Sequence, residues 1–143
     1  MGIKIGSLAE DIKIEFEKNY RKFGNIEERS DYKFIMSLCK SFPNFEISDG
    51  FPHYLLGDFW EIIYDIFANY DVKLAIKNHD ETFYNFINFV EEYSKLSEYK
   101  RCVECVFDGV YGFIGVTDLY KVFGEETVKI WKEYTKDWKT LKL

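Results

Sequence analysis

Pro-His-Tyr-Leu-Leu-Gly-Asp-Phe-Trp-Glu-Ile-Ile-Tyr-Asp-Ile-Phe (52–67) is the stretch that decides the fold class. Leu55, Phe59, Ile62, Ile63, Ile66 and Phe67 stand at i, i+4, i+7, i+8, i+11 and i+12, the recurrence of one face of an α-helix. Pro52 suits the first turn of that helix, where a missing N–H costs nothing. Opposite the stripe, Asp58, Glu61 and Asp65 follow at i, i+3 and i+7. That spacing gathers three carboxylates on one face, with Tyr54, Trp60 and Tyr64 flanking them.

The same helical spacing extends in both directions. A first amphipathic stretch runs from about Leu8 to Phe23, with Ser7 as N-cap and Gly24 as its stop. A second begins near Ser30 or Asp31, carries Tyr32, Phe34, Ile35 and Leu38, and ends at Pro43. Asn44–Gly50 reads as a loop. Downstream, a helix over Asp80–Leu96 turns Phe83, Phe86, Ile87 and Val90 inward, with Asp80 and Glu81 near its positive end. Another follows Ser97 as N-cap, with Tyr99, Cys102, Val103, Val106, Phe107 and Val110 at helical spacing. Gly109, Gly112 and Gly115 break the pattern. A short helical turn (Asp118–Phe123) then precedes a last helix from about Glu125 to Thr140. Strand signals are weak; Ile3–Ile5 and Val110–Val116 are the two places that would accommodate one. The expectation is all-α, a compact single-domain bundle of about six helices covering residues 1–143.

Composition narrows the class. The chain has 143 residues, 47% hydrophobic and 20% aromatic, so its core should rest on Phe and Tyr, whose rings bury much area per residue. It carries 25 acidic and 19 basic side chains, net −6. Residues 43–98 hold eleven acids against three bases, Lys73, Lys77 and Lys95, for a net of −8. The two flanks come to +1 each. An acidic, aromatic-rich segment suits docking onto a basic protein better than binding nucleic acid or an anionic membrane. No secretory signal or membrane-length apolar run stands out, and three cysteines do not make a disulfide framework. The chain reads as cytoplasmic.

Chemical motifs are few. Cys102-Val-Glu-Cys105 lies inside an amphipathic helix rather than after a strand, and a zinc site there needs ligands from Cys39, His53 or His79 at irregular spacing. Ordinary buried cysteines account for it. A metal held by Asp58 and Glu61 lacks a histidine one turn away. Neither a nucleophile elbow nor a phosphate loop is present. Lys129, Lys132, Lys136 and Lys139 form a strip on the last helix, but Glu133 and Asp137 interrupt it, a poor nucleic-acid footprint. The expectation is therefore no catalytic residue, no metal and no cofactor.

The order of certain pieces resembles a family of small all-helical bacterial proteins associated with immunity genes of toxin–immunity systems, the polymorphic toxin and contact-dependent inhibition type. The pieces are Ser-Phe-Pro (41–43), Phe-Pro-His-Tyr-Leu-Leu-Gly-Asp-Phe (51–59), Phe-Ile-Asn-Phe-Val-Glu-Glu (86–92), the helix carrying Cys102 to Phe107, and Phe-Gly-Glu-Glu-Thr (123–127) leading into a Trp-containing helix. They span about residues 30–135, and 52–58 is the most specific. The chain departs from the family by its extra N-terminal helix (about 7–24), its Phe and Tyr content, and the glycines at 109–115. The resemblance implies a helical fold and a protective binding role, and it transfers no catalytic residue. The expected partner is a cognate toxin with a basic surface, gripped by Tyr54, Asp58, Trp60, Glu61, Tyr64, Asp65, Glu91 and Glu92. A helical adaptor or regulatory module is the alternative. A metal-dependent enzyme built on Asp58, Glu61 and His53 stands behind both.

Overall fold

A computed structural model describes residues 2–48, 60–68 and 70–136, with Trp60 and Val116 through their backbone alone. The chain is mostly helical. Eight α-helices lie among the described residues, more than the six expected. They fall into two units, Met1–Tyr70 and Asp71–Leu143, and each is built as follows.

The first unit opens on a short antiparallel ladder between β1 (Ile3–Lys4) and β2 (Glu46–Ile47), in register Ile3 with Ile47. The Ile5 N–H continues it to the Phe45 carbonyl at 2.7 Å. One of the two places that would accommodate a strand therefore holds a short one, and part of the segment expected as loop is its partner. Two residues a side are too short for an alternation signal, so only the pairing defines the strand. Gly6 permits the approach, since a Cβ there would lie 2.5 Å from Pro43 Cβ. A 3-10 turn (Ile5–Leu8) leads into α1 (Ala9–Tyr20), which buries Ile12 and Phe16 one turn apart. Ser7 does not cap α1; its hydroxyl donates to the Lys4 carbonyl at 2.8 Å, because the extra 3-10 turn displaces the helix start. Past Tyr20 a second 3-10 turn (Arg21–Phe23) runs to Gly24, whose φ of +134° is a conformation that glycine adopts far more readily than other residues.

The second helix, α2 (Ser30–Ser41), starts where the sequence placed it and buries Tyr32, Phe34, Ile35, Leu38 and Cys39. Tyr32 meets Phe16 edge-on at 5.2 Å. Phe42 stacks on Phe45 at 5.1 Å, and Phe45 meets Phe67 at 6.0 Å. Phe67 belongs to α3 (Trp60–Ala68), whose Ile62, Ile63, Ile66 and Phe67 are buried as the stripe required. The expected first turns of that helix, from Pro52 to Phe59, lie outside the described residues.

The second unit begins with α4 (Val72–Lys77), unforeseen because its six residues bury only Val72 and Ala75. It ends in a Schellman motif: the His79 N–H reaches Ile76 O at 3.2 Å and the Asp80 N–H reaches Ala75 O at 2.8 Å, with His79 at φ +51°. Asp80 then caps α5 (Glu81–Ser94), its Oδ1 accepting from the Phe83 N–H at 3.0 Å. Ser97 caps no helix; it opens a 3-10 turn (Ser97–Tyr99) before α6 (Lys100–Val110). No strand forms over Val110–Val116, where α6 ends and α7 (Val116–Val122) starts. The last helix, α8 (Glu125–Thr135), lays Trp131 edge-on against Phe107 at 5.0 Å. Phe83, Phe86, Ile87 and Val90 of α5 and Cys102, Val103, Cys105, Val106 and Phe107 of α6 form the core of this unit. No helix among the described residues is long and apolar enough to cross a membrane.

Candidate functional site

The face of α3 opposite its buried isoleucines presents Glu61, Tyr64 and Asp65. Glu61 and Asp65 are half-buried, and Tyr64 is 48% exposed. One turn of helix separates Glu61 from Tyr64 and Asp65, which sets a carboxylate beside a half-exposed ring. Asp65 also has an internal role. Its Oδ2 accepts the Ser48 N–H at 2.7 Å and its Oδ1 the Ser48 hydroxyl at 2.6 Å, so the carboxylate ties the end of β2 to α3. Tyr54 and Asp58 lie outside the described residues. Trp60 opens α3, and only its backbone is described.

Glu91 and Glu92 sit in the second unit, near the C-terminal end of α5, and differ in setting. Glu92 is exposed and pairs with Lys95 at 2.7 Å, a surface ion pair of small energetic worth. Glu91 is half-buried and faces α8. Its Oε2 accepts the Glu126 N–H at 3.0 Å, and its Oε1 accepts the Thr127 N–H at 2.9 Å and the Thr127 hydroxyl at 2.8 Å. Burial pushes this carboxyl up, but the hydrogen bonds from Thr127 and Glu126 outweigh it and hold the group below the usual carboxylate range. The carboxylate expected to face a partner is thus the cap of another helix. Nothing in the spacing of residues 86–92 marks that role, since the donors lie more than thirty positions downstream.

The remaining chemical candidates have structural explanations. Cys39, Cys102 and Cys105 are buried and not joined in disulfides, and burial pushes the Cys39 thiol up to about 12, away from the thiolate that nucleophilic chemistry needs. His79 stacks on Tyr84 at 3.9 Å beside the Schellman turn, and His53 lies outside the described residues. Among the described residues, no three His, Cys, Asp or Glu side chains gather as a metal centre would need. The lysine strip is largely neutralised: Lys129 pairs with Glu126 at 2.9 Å, Lys136 with Glu133 at 2.7 Å, and Lys132 sits over the Tyr120 ring at 5.6 Å. Lys139 is outside the described residues.

The first unit also contains a concavity of about 400 Å³, which the sequence did not announce. Glu17 and Arg21 from α1 and its following turn, Gly24, Asn25, Ile26 and Glu27 line it. Gly24 joins the two 3-10 turns that border it, and Asn25 starts the second of them by accepting the Glu27 N–H at 3.2 Å. Its lining offers two carboxylates and a guanidinium around buried Ile26, an arrangement for polar contact with no nucleophile.

Neither protein-family models, nor curated proteins, nor solved structures give a significant match to this chain.

Proposed function

We propose that this chain is an immunity-type protein, which binds a cognate bacterial toxin in the cytoplasm and neutralises it. The observation that carries the reading is the outward face of α3. There the half-exposed Tyr64 stands beside Glu61, with Ile62, Ile63, Ile66 and Phe67 anchored behind them. That face belongs to a segment with net charge −8. Aromatic side chains on rigid elements dominate the energetics of interface centres, while carboxylates around them steer a basic partner. Glu61 and Tyr64 are the principal contacts in this reading. The sequence reading also assigns Tyr54, Asp58 and the Trp60 side chain, which lie outside what is described, and Glu92, an exposed acid of the second unit, to the partner. Asp65 and Glu91 act chiefly in tying elements within their own units, the end of β2 to α3 and the start of α8 to α5. Blocking the toxin's active site and occupying an exosite are both compatible with such a surface.

The product of the adjacent open reading frame is the first partner to test, by toxicity rescue on co-expression and by binding of the purified pair. Tyr64→Ala should weaken binding about tenfold or more. Glu61→Lys should slow association and flatten its decline with salt. No rescue and no binding, or binding indifferent to salt and to both substitutions, would reject the reading. Binding to a non-toxic neighbour through the same face would favour an adaptor instead.

A further inference from the structure

We propose that Glu91 is an acid-gated latch: its carboxylate is the internal ligand that holds the start of α8 against α5, and protonating it lets α8 open while the core between α5 and α6 persists. A helix start leaves backbone N–H groups without intrahelical acceptors, and the N-cap of α8 is Gly124, which has no side chain to offer. Glu91 supplies the missing oxygen from another helix and satisfies the N–H groups of Glu126 and Thr127. Gly124 is what admits it. A Cβ at that position would lie 2.4 Å from both Glu91 Cδ and Oε1.

The surroundings make the contact depend on charge. Thr127 is fully buried, and its hydroxyl donates to Glu91 while meeting Ser94 Oγ at 2.9 Å; Ser94 Oγ in turn lies 2.8 Å from the Val90 carbonyl. Three donors therefore converge on two carboxylate oxygens. A protonated carboxyl would place its own hydrogen against an N–H or O–H and lose at least one of these bonds. The charged groups that bear on Glu91 are Lys95 from its own helix and Glu126 and Lys129 from α8. Both lysines stay cationic through the acid range. Because the folded carboxyl titrates below its ordinary value, the latch is complete above about pH 4.5 and is lost as pH falls through the folded value.

The test is hydrogen exchange of the α8 amides between pH 7 and pH 3, corrected for intrinsic rates, together with an NMR titration of the Glu91 carboxyl carbon and the Glu126 and Thr127 amides. Wild-type α8 should be uniformly protected down to about pH 5. It should then lose about tenfold or more of its protection by pH 3, as expected for hydrogen bonds to a charged group, while α6 stays protected. Glu91→Gln should show the reduced protection already at pH 7 and no acid step, and Gly124→Ala should approach the same behaviour by displacing the carboxylate. Flat protection of wild-type α8 to pH 3, an undiminished acid step in Glu91→Gln, or joint opening of α6 and α8 would overturn the proposal. Should Glu91→Gln fail to fold, the wild-type titration decides alone: a Glu91 midpoint at or above 4.5 rejects it.

Discussion

Asp65 shows how one carboxylate takes a role that spacing does not reveal. On the helix it belongs to the acidic ridge with Glu61; in space it receives two hydrogen bonds from Ser48. Hydrogen bonds to charged groups contribute about 1.5–3 kcal/mol, discounted here because Ser48 is exposed and Asp65 only half-buried. Ser48→Ala should therefore destabilise the first unit by about 1 kcal/mol in urea unfolding, and Asp65→Asn by a similar amount. The double variant should cost less than the two combined; strict additivity would show that the pair is not coupled. Tyr134 gives a residue-scale prediction at the other end of the pH range. Its hydroxyl donates to Asp108 Oδ1 at 2.7 Å, and burial, followed by that hydrogen bond, pushes its pKa up to about 12. The unfolded phenol ionises near 10. Its stabilising effect is thus complete below pH 10 and disappears as pH rises toward 12. Tyr134→Phe should remove that part of the alkaline decline in thermal stability; an unchanged alkaline limb would refute the assignment.

Elements were legible where a long apolar stripe met a clear boundary. Ser30 and Pro43 bracket α2, and Asp80 with Glu81 marks the positive end of α5 by charge, although only the structure shows Asp80 to be its N-cap. Asp80→Ala should cost about 1 kcal/mol of stability, measured by denaturant unfolding, with the loss of exchange protection concentrated in the first turn of α5; loss spread evenly over the unit would point elsewhere. Elements failed to show where the signal was shorter than a period. Six residues of α4 bury two side chains, and the β1–β2 ladder pairs two residues with two. Ser7 and Ser97 carry the chemistry of N-caps, yet 3-10 turns intervene and move both helix starts downstream. Local preference placed those serines near a helix end, and packing of the preceding turn decided which end group they met.

At the scale of the whole chain, the uneven charge is a property of sequence alone: net −8 over residues 43–98 and +1 on either side hold whatever the fold. So do the mostly helical character and the identity of the apolar stripes, because 3.6-residue periodicity is written in the order of side chains. The surface charge pattern is different. Whether an acid meets solvent or another element depends on residues far away in the chain, and Glu91 and Thr127, 36 positions apart, are the clearest case. The lysines of α8 were readable as a strip, but their neutralisation by Glu126 and Glu133 and the seat of Lys132 over Tyr120 depend on rotamer and packing. Sequence thus determined the helical class, the core residues and the acidic segment. Only tertiary structure divided the acids into those that brace the fold and those left facing outward, because hydrogen-bond partners more than a few turns apart are chosen by packing and not by local order.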